Sequence, residues 1–296
     1  MKKTFTIALL VSVFFVLGLS KLAPNPKKAF EKFLKTSAYT FIPEGKVFVN
    51  NQEKSVNGFY ISKGEVTNRQ YKEFLKYLKD NNEIEKLKIC QIDSSNWSTE
   101  NSFSVAFVSH YHSHPSYYNY PVVNISHEAA ELYCGFISAA LSINFPGIIV
   151  TCRLPSYTEY VRAARGDDPN MSYGWNSSLT RNKDGQILGN FTRLGEECIT
   201  RNKETGKFEV SLSGLQTHTS GSFDILAPSE SYWPNQFGVY NLSGNAAEMI
   251  SEKGIAVGGS WKNPGYDVRI DSKTEFSESD KTVGFRVVFD YSCAGE

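Results

Sequence analysis

The sequence carries no charge imbalance: 31 Lys and Arg face 31 Asp and Glu among 296 residues, for a formal net charge of +0. Without a basic excess there is no electrostatic footprint for nucleic acid or anionic lipid, and no nucleic-acid partner is expected. Cysteine is scarce as well. The five present (Cys90, Cys134, Cys152, Cys198, Cys293) show no C-x-x-C spacing, which argues against a thiolate zinc site. There is no internal repeat and no low-complexity tract, which excludes solenoids and linker-dominated chains. What the chain has in quantity is hydrophobic side chains (41%) and aromatics (14%), enough for one large core.

Met1-Lys2-Lys3 followed by the apolar run Phe5 to Leu19 and the small residues around Ser20 reads as an export signal over 1–20. The run is shorter than the ~20 residues that span a bilayer, so membrane contact is expected only if this segment is retained. The basic, Pro-containing stretch 21–38 reads as a linker, and 39–296 as one domain. Export would place the protein in the periplasm or at the cell surface. There the five cysteines allow up to two disulfides, with the pairing open.

Along the domain, Tyr39 to Val49 reads as a strand broken by a turn at Pro43-Glu44-Gly45, and Gly58 to Ser62 as a second strand. Thr67-x-x-Gln70 is a capping box ahead of Tyr71, Phe74, Leu75 and Leu78, which share one helical face. Residues 80–119 are polar and aperiodic and read as a long surface excursion. Within them His110, His112 and His114 alternate, so an extended backbone would put all three on one face and offer a transition-metal site. Tyr120 to Ile125 reads as a strand entering a helix at Ser126, with Ala130, Tyr133, Cys134 and Ile137 on its buried side. Ser156-x-x-Glu159 is a second capping box. From 167 to 234 the chain is rich in turn formers.

Several blocks, in order, resemble the formylglycine-generating enzymes, or sulfatase-modifying factors, over nearly the whole mature chain. They are Phe59 to Asn68, Tyr120 to Val123, Ala130 to Cys134, Arg153-Leu154-Pro155-Ser156 with Glu159 to Gly166, Tyr173-Gly174-Trp175, Phe237 to Glu248, Gly258-Gly259-Ser260-Trp261 and Gly284-Phe285-Arg286. The resemblance implies an α+β fold, a variant of the C-type lectin architecture with little regular secondary structure.

The family's chemistry is oxidation of a substrate cysteine, carried out by a cysteine pair that would fall at Asn263 and Val268. Neither side chain offers a thiolate for copper(I), so no catalytic residue and no copper are expected here. The family's late cysteine is Val287, which leaves Cys134 without the partner the resemblance implies. Two structural calcium sites are also implied, one from Asn241, Gly244, Ala246 and Glu248, the other from Asn190, Phe191 and Phe223 with Gly221 in place of an aspartate. The alternative for the first is a turn whose Glu248 pairs with an arginine such as Arg286. Trp261, Asn263, Tyr266 and Arg269 would line the family's substrate groove, with packing beneath it as the alternative role for Trp261.

The resulting expectation is a noncatalytic, calcium-stabilised binding or assembly module of the bacterial envelope, with an envelope protein, a small molecule or a peptide as partner. The stretch His114 to Val123 resembles the corresponding region of relatives associated with gliding motility and type IX secretion in Bacteroidetes. Two alternatives stand beside it: a metal-dependent oxidoreductase using the histidines, and a lectin-like ligand binder.

Overall fold

Asn25 caps the first helix by accepting the Lys28 amide at 2.9 Å. Helix α1 (Pro26–Thr36) then buries Phe30 and Leu34. The linker expected over 21–38 is therefore replaced, from Pro26 onward, by a helix that belongs to the core. The apolar residues Phe30, Phe33 and Leu34 make a stripe too short to stand out among the lysines of this segment. The computed structural model describes residues 25–99, 105–192, 199–202, 204–206, 208–210 and 225–295. The expected export segment 1–20, Cys198 and Phe223 lie outside them.

Strands β1 (Tyr39–Ile42), β2 (Gly45–Val49), β3 (Gln52–Val56) and β4 (Phe59–Ser62) follow, with the break at Pro43-Glu44 where the sequence placed it. Helix α2 (Asn68–Asp80) opens on the Thr67–Gln70 capping box and buries Tyr71, Phe74 and Leu78. The expected excursion over 80–119 is instead largely ordered. It holds helices α3 (Ile84–Ile89) and α4 (Val105–His110) and buries Cys90, Trp97 and Tyr111. Three isolated residues gave no periodicity, yet each fills a core position.

Tyr120 to Ile125 is not a strand either. It makes only an isolated bridge from Pro121 to Thr67, and Val122 donates to the Val66 carbonyl at 2.8 Å. Its apolar run is nevertheless fully buried at Val122, Val123 and Ile125.

Helix α5 (His127–Asn144), capped by Ser126, leads to β5 (Ile148–Arg153) and then to helix α6 (Tyr157–Arg165), which opens on the second capping box. The short strands β6 (Ile199–Arg201) and β7 (Phe208–Val210) pair as a hairpin. No helix or strand occurs from 225 to 246. The remaining strands are β8 (Ala247–Met249), β9 (Ile255–Val257), β10 (Lys273–Glu275), β11 (Val283–Phe285) and β12 (Val288–Cys293).

The main sheet runs β1-β4-β12-β5 with every pairing antiparallel. Side chains alternate across it. Phe289 and the β5 residues Ile148, Val150 and Cys152 pack with α1, α2 and α5 on one face, while Val288, Phe59 and Ile61 pack with α6 on the other. A second sheet runs β10-β9-β8-β11, in which β11 and β8 are parallel. Among the described residues no helix is long and apolar enough to cross a membrane.

Candidate functional site

Strand β9 is followed by Gly258-Gly259, both at positive φ. At Gly259 an added Cβ would lie 2.4 Å from the Asp267 carbonyl oxygen, so only glycine permits this turn. The turn is closed by Asn263, whose side-chain oxygen accepts the Ser260 amide at 2.8 Å and the Ser260 hydroxyl at 2.7 Å. Val268 is fully buried among Tyr173, Trp175, Ile187, Leu188 and Phe191. The two positions where the resemblance would place a thiolate pair thus hold a turn-closing amide and a core methyl pair.

The four expected groove residues divide. Trp261 is partly buried, packs against the cluster of Trp97, Tyr111 and Ala246, and has an indole N–H that is buried without a partner. Asn263 is spent on the turn. Tyr266 is 69% exposed, and the Arg269 guanidinium lies over its ring at 3.8 Å, which makes a planar cationic contact surface.

Beneath this loop lies a polar centre that joins the two expected ion-binding sets. Asn190 donates to Asn245 Oδ1 at 3.1 Å, and the Asn190 carbonyl accepts the Asn245 amide at 2.7 Å. Asn245 Nδ2 donates to Glu65 at 2.8 Å, and Asn241 Nδ2 donates to the Ser229 carbonyl at 3.1 Å. Glu248 and Arg286, 1% and 0% exposed, form a bidentate pair in which Nε and Nη2 each take one carboxylate oxygen. Arg286 also donates to the carbonyls of Ser62 (3.0 Å), Lys63 (3.3 Å) and Tyr240 (2.8 Å). Burial pulls the guanidinium pKa down, but Glu248 outweighs this and leaves it above the ordinary value.

This geometry bears on the first calcium set. The Asn241 side chain bonds to Glu65 and the Ser229 carbonyl, and in the set of Asn241, Gly244, Ala246 and Glu248 both Glu248 oxygens already carry guanidinium hydrogen bonds. A divalent ion there would sit beside a buried positive charge, so the set does not fit calcium as it stands. The second set differs: Asn190 Oδ1 is buried without a partner, a hard oxygen of the kind calcium takes. Phe191 packs in the aromatic cluster next to it in sequence.

Sequence reasoning gave Glu65 and Ser229 no role, yet both line a cavity of about 330 Å³ with Tyr39, Gln70, Asn119 and Tyr133. Burial pushes the Glu65 carboxyl up to about 8, against the pull of Arg286. Ser229 Oγ is buried without a partner. Glu65 stands inside a matched block, but nothing in its spacing says that it turns inward.

The histidines do not form a triad. His110 ends α4 and bonds back to the Ala106 carbonyl at 2.8 Å, while His114 Nδ1 accepts the Ser116 amide at 3.2 Å. His112 Nδ1 donates to Asn68 Oδ1 at 2.9 Å, and its Nε2 is buried without a partner. A helix end followed by a turn replaces the extended backbone that would have aligned them. Among the described residues no cluster of three or more His, Cys, Asp or Glu is placed to hold a metal.

Burial lowers the His112 pKa to about 3. The unfolded chain binds this proton near 6.5, so the stability that His112 contributes is present above that pH and is lost as pH falls toward 3. The loss is on the order of 1.4 kcal/mol per pH unit across that window. The expected result is that the urea midpoint falls less between pH 7 and pH 4 in His112→Leu than in the parent, and equal slopes would refute this assignment.

The turn-rich scaffold, the mixed sheets and the Gly-Gly-Ser-Trp turn over a buried polar centre define a fold of the formylglycine-generating type. The solved structures agree. A structure described as "Crystal Structure of CarF" matches with a TM-score of 0.53 and 17% identity, covering 84% of this chain and 97% of that one. "Treponema denticola variable protein 1" matches with a TM-score of 0.53 and 14% identity over 84% and 94%. PvdO from Pseudomonas aeruginosa matches with a TM-score of 0.51 and 15% identity over 85% and 94%.

The family described as "Sulfatase-modifying factor enzyme 1-like domain" matches residues 27–291, and the chain belongs to it. The Mus musculus formylglycine-generating enzyme is 28% identical over 134 residues, 45% of this chain and 27% of that enzyme. The match thus spans about a quarter of that relative's length.

Proposed function

We propose that the protein is a noncatalytic binding module of the bacterial envelope, exported to the periplasm or cell surface, where it holds a protein, peptide or small-molecule partner. The observation that carries this reading lies at positions 263 and 268. Asn263 closes its own turn and Val268 is core, so neither leaves a free reactive group at the groove. The contact surface we assign is the exposed Tyr266–Arg269 stack, because a rigid aromatic under a guanidinium supplies area and hydrogen-bond donors with little ordering cost. Envelope assemblies such as those of gliding motility or type IX secretion are the proposed setting.

The test is a photo-crosslinking residue at position 266 in living cells. A discrete adduct with an envelope protein, weakened by Arg269→Ala, is the expected result. Formation of formylglycine from a cysteine peptide by the purified protein with copper and oxygen would overturn the noncatalytic reading.

A structural calcium ion, where one is taken, is proposed at Asn190 and not at Glu248, on the strength of the unpartnered Asn190 oxygen. Chelation is expected to lower the melting temperature, and calcium but not magnesium to restore it. A ligand at 100 times its Kd stabilises by about 2.7 kcal/mol, which gives a shift of several degrees. An unchanged melting curve would exclude a structural ion.

A further inference from the structure

Cys134 lies on α5 and Cys152 on β5, 3% and 7% exposed. One hydroxyl ties their backbones together. Ser138, a single helical turn beyond Cys134, donates to the Cys134 carbonyl at 3.1 Å and accepts the Cys152 amide at 2.8 Å. On β5 the side chains of Ile148, Val150 and Cys152 alternate onto the face that α5 covers, so the Cys152 thiol points at the helix and lies beside the Cys134 thiol.

The other cysteines with described positions stand elsewhere. Cys90 follows α3, where its carbonyl accepts the Tyr71 hydroxyl, and Cys293 lies opposite Ile148 at the far end of β5 from Cys152. Val287, buried in the same core, offers Cys134 no sulfur.

We infer that Cys134 and Cys152 form a disulfide joining helix α5 to the main sheet when the protein folds in an oxidising environment. The oxidant is an external disulfide, either a low-molecular-weight one or that of a thiol oxidoreductase. One cysteine thiolate attacks it and releases a thiolate, giving a mixed disulfide. The second cysteine thiolate then attacks the protein-bound sulfur and releases the other half. The two protons lost by Cys134 and Cys152 end on the two released thiols.

Burial pushes the Cys152 thiol well above its ordinary range, so thiolate is scarce in the folded protein. The bond therefore forms while the chain is still opening and closing, and it is shielded from reductants afterwards.

The experiment refolds the reduced full chain from urea in an oxidised/reduced glutathione buffer. It then blocks free thiols under denaturing conditions without reduction, digests, and maps linked peptides by mass spectrometry. The expected result is a linked pair containing Cys134 and Cys152, with two fewer blocked thiols than in a reduced control. The melting temperature of the oxidised form should be higher by on the order of 5–10 °C. Linkage of either residue to Cys90, Cys198 or Cys293, or full blocking of both, would overturn the assignment. Ser138→Ala is expected to slow formation of the link without changing which residues pair. Because the oxidant is supplied in vitro, the result is independent of whether the protein is exported.

Discussion

Replacing Arg286 with Met is expected to cost on the order of 3–5 kcal/mol, the usual cost of stripping one partner from a buried ion pair. Such a loss is a large part of the roughly 5–15 kcal/mol that keeps a domain folded, and most of the variant would be expected to be unfolded in mild urea. The reason lies in what the guanidinium leaves behind. Glu248, 1% exposed, would keep a carboxylate with no counter-charge, near the second buried acid Glu65. The carbonyls of Ser62, Lys63 and Tyr240 would also lose a donor. Glu248→Gln strands the guanidinium in turn but should cost less, because Arg286 keeps its three carbonyls and has Glu65 nearby as a counter-charge. Combining Glu248→Met with Arg286→Met should recover part of the loss, since no charge is then stranded. Urea unfolding of the three variants at pH 7 gives the order directly. An Arg286→Met midpoint equal to the parent's would mean that the pair is not buried as described.

The second large effect is expected at Phe30, where truncation to Ala should cost about 3–5 kcal/mol. Its ring is fully buried and lies 5.0 Å from Phe145, 4.9 Å from Tyr291 and 5.9 Å from Phe33. These edge and stacked contacts tie α1 to the sheet. Were the segment before Tyr39 a linker, the same substitution would fall within ±0.5 kcal/mol, as at ordinary surface positions. Chemical denaturation therefore separates the two descriptions cleanly.

The parts of the fold that could be read from the sequence are those with local signals. The Thr67–Gln70 and Ser156–Glu159 capping boxes are both formed, and the apolar faces of the helices they open are buried where the spacing placed them. What escaped reading depends on partners far away in the chain. Phe30 meets Tyr291, and Arg286 reaches the carbonyls of Ser62 and Lys63 more than 220 residues earlier. No window of residues contains such information, and single large side chains in polar surroundings give no period to detect.

The site shows the same division. The Asn- and Gly-rich run was legible as a turn, and Asn241, Gly244 and Asn245 all adopt positive φ in it. Which cation Glu248 faces was decided by Arg286, on a different strand edge. For the histidines, alternation in sequence was correct but the backbone was not extended, so the faces did not align.

The order β1-β4-β12-β5 also dictates when the protein can fold. Strand β12 sits between β4 and β5, which do not pair with each other, so the sheet has a gap through its middle until residues 288–293 leave the ribosome. Every earlier nascent chain exposes two strand edges, and the Phe30 ring of α1 still lacks its Phe289 and Tyr291 neighbours. Synthesis from β4 to β12 takes on the order of ten seconds or more at ~5–20 residues per second. Throughout that interval the unpaired edges of β4 and β5 stay open to pairing with another chain, the hazard that a holding chaperone limits.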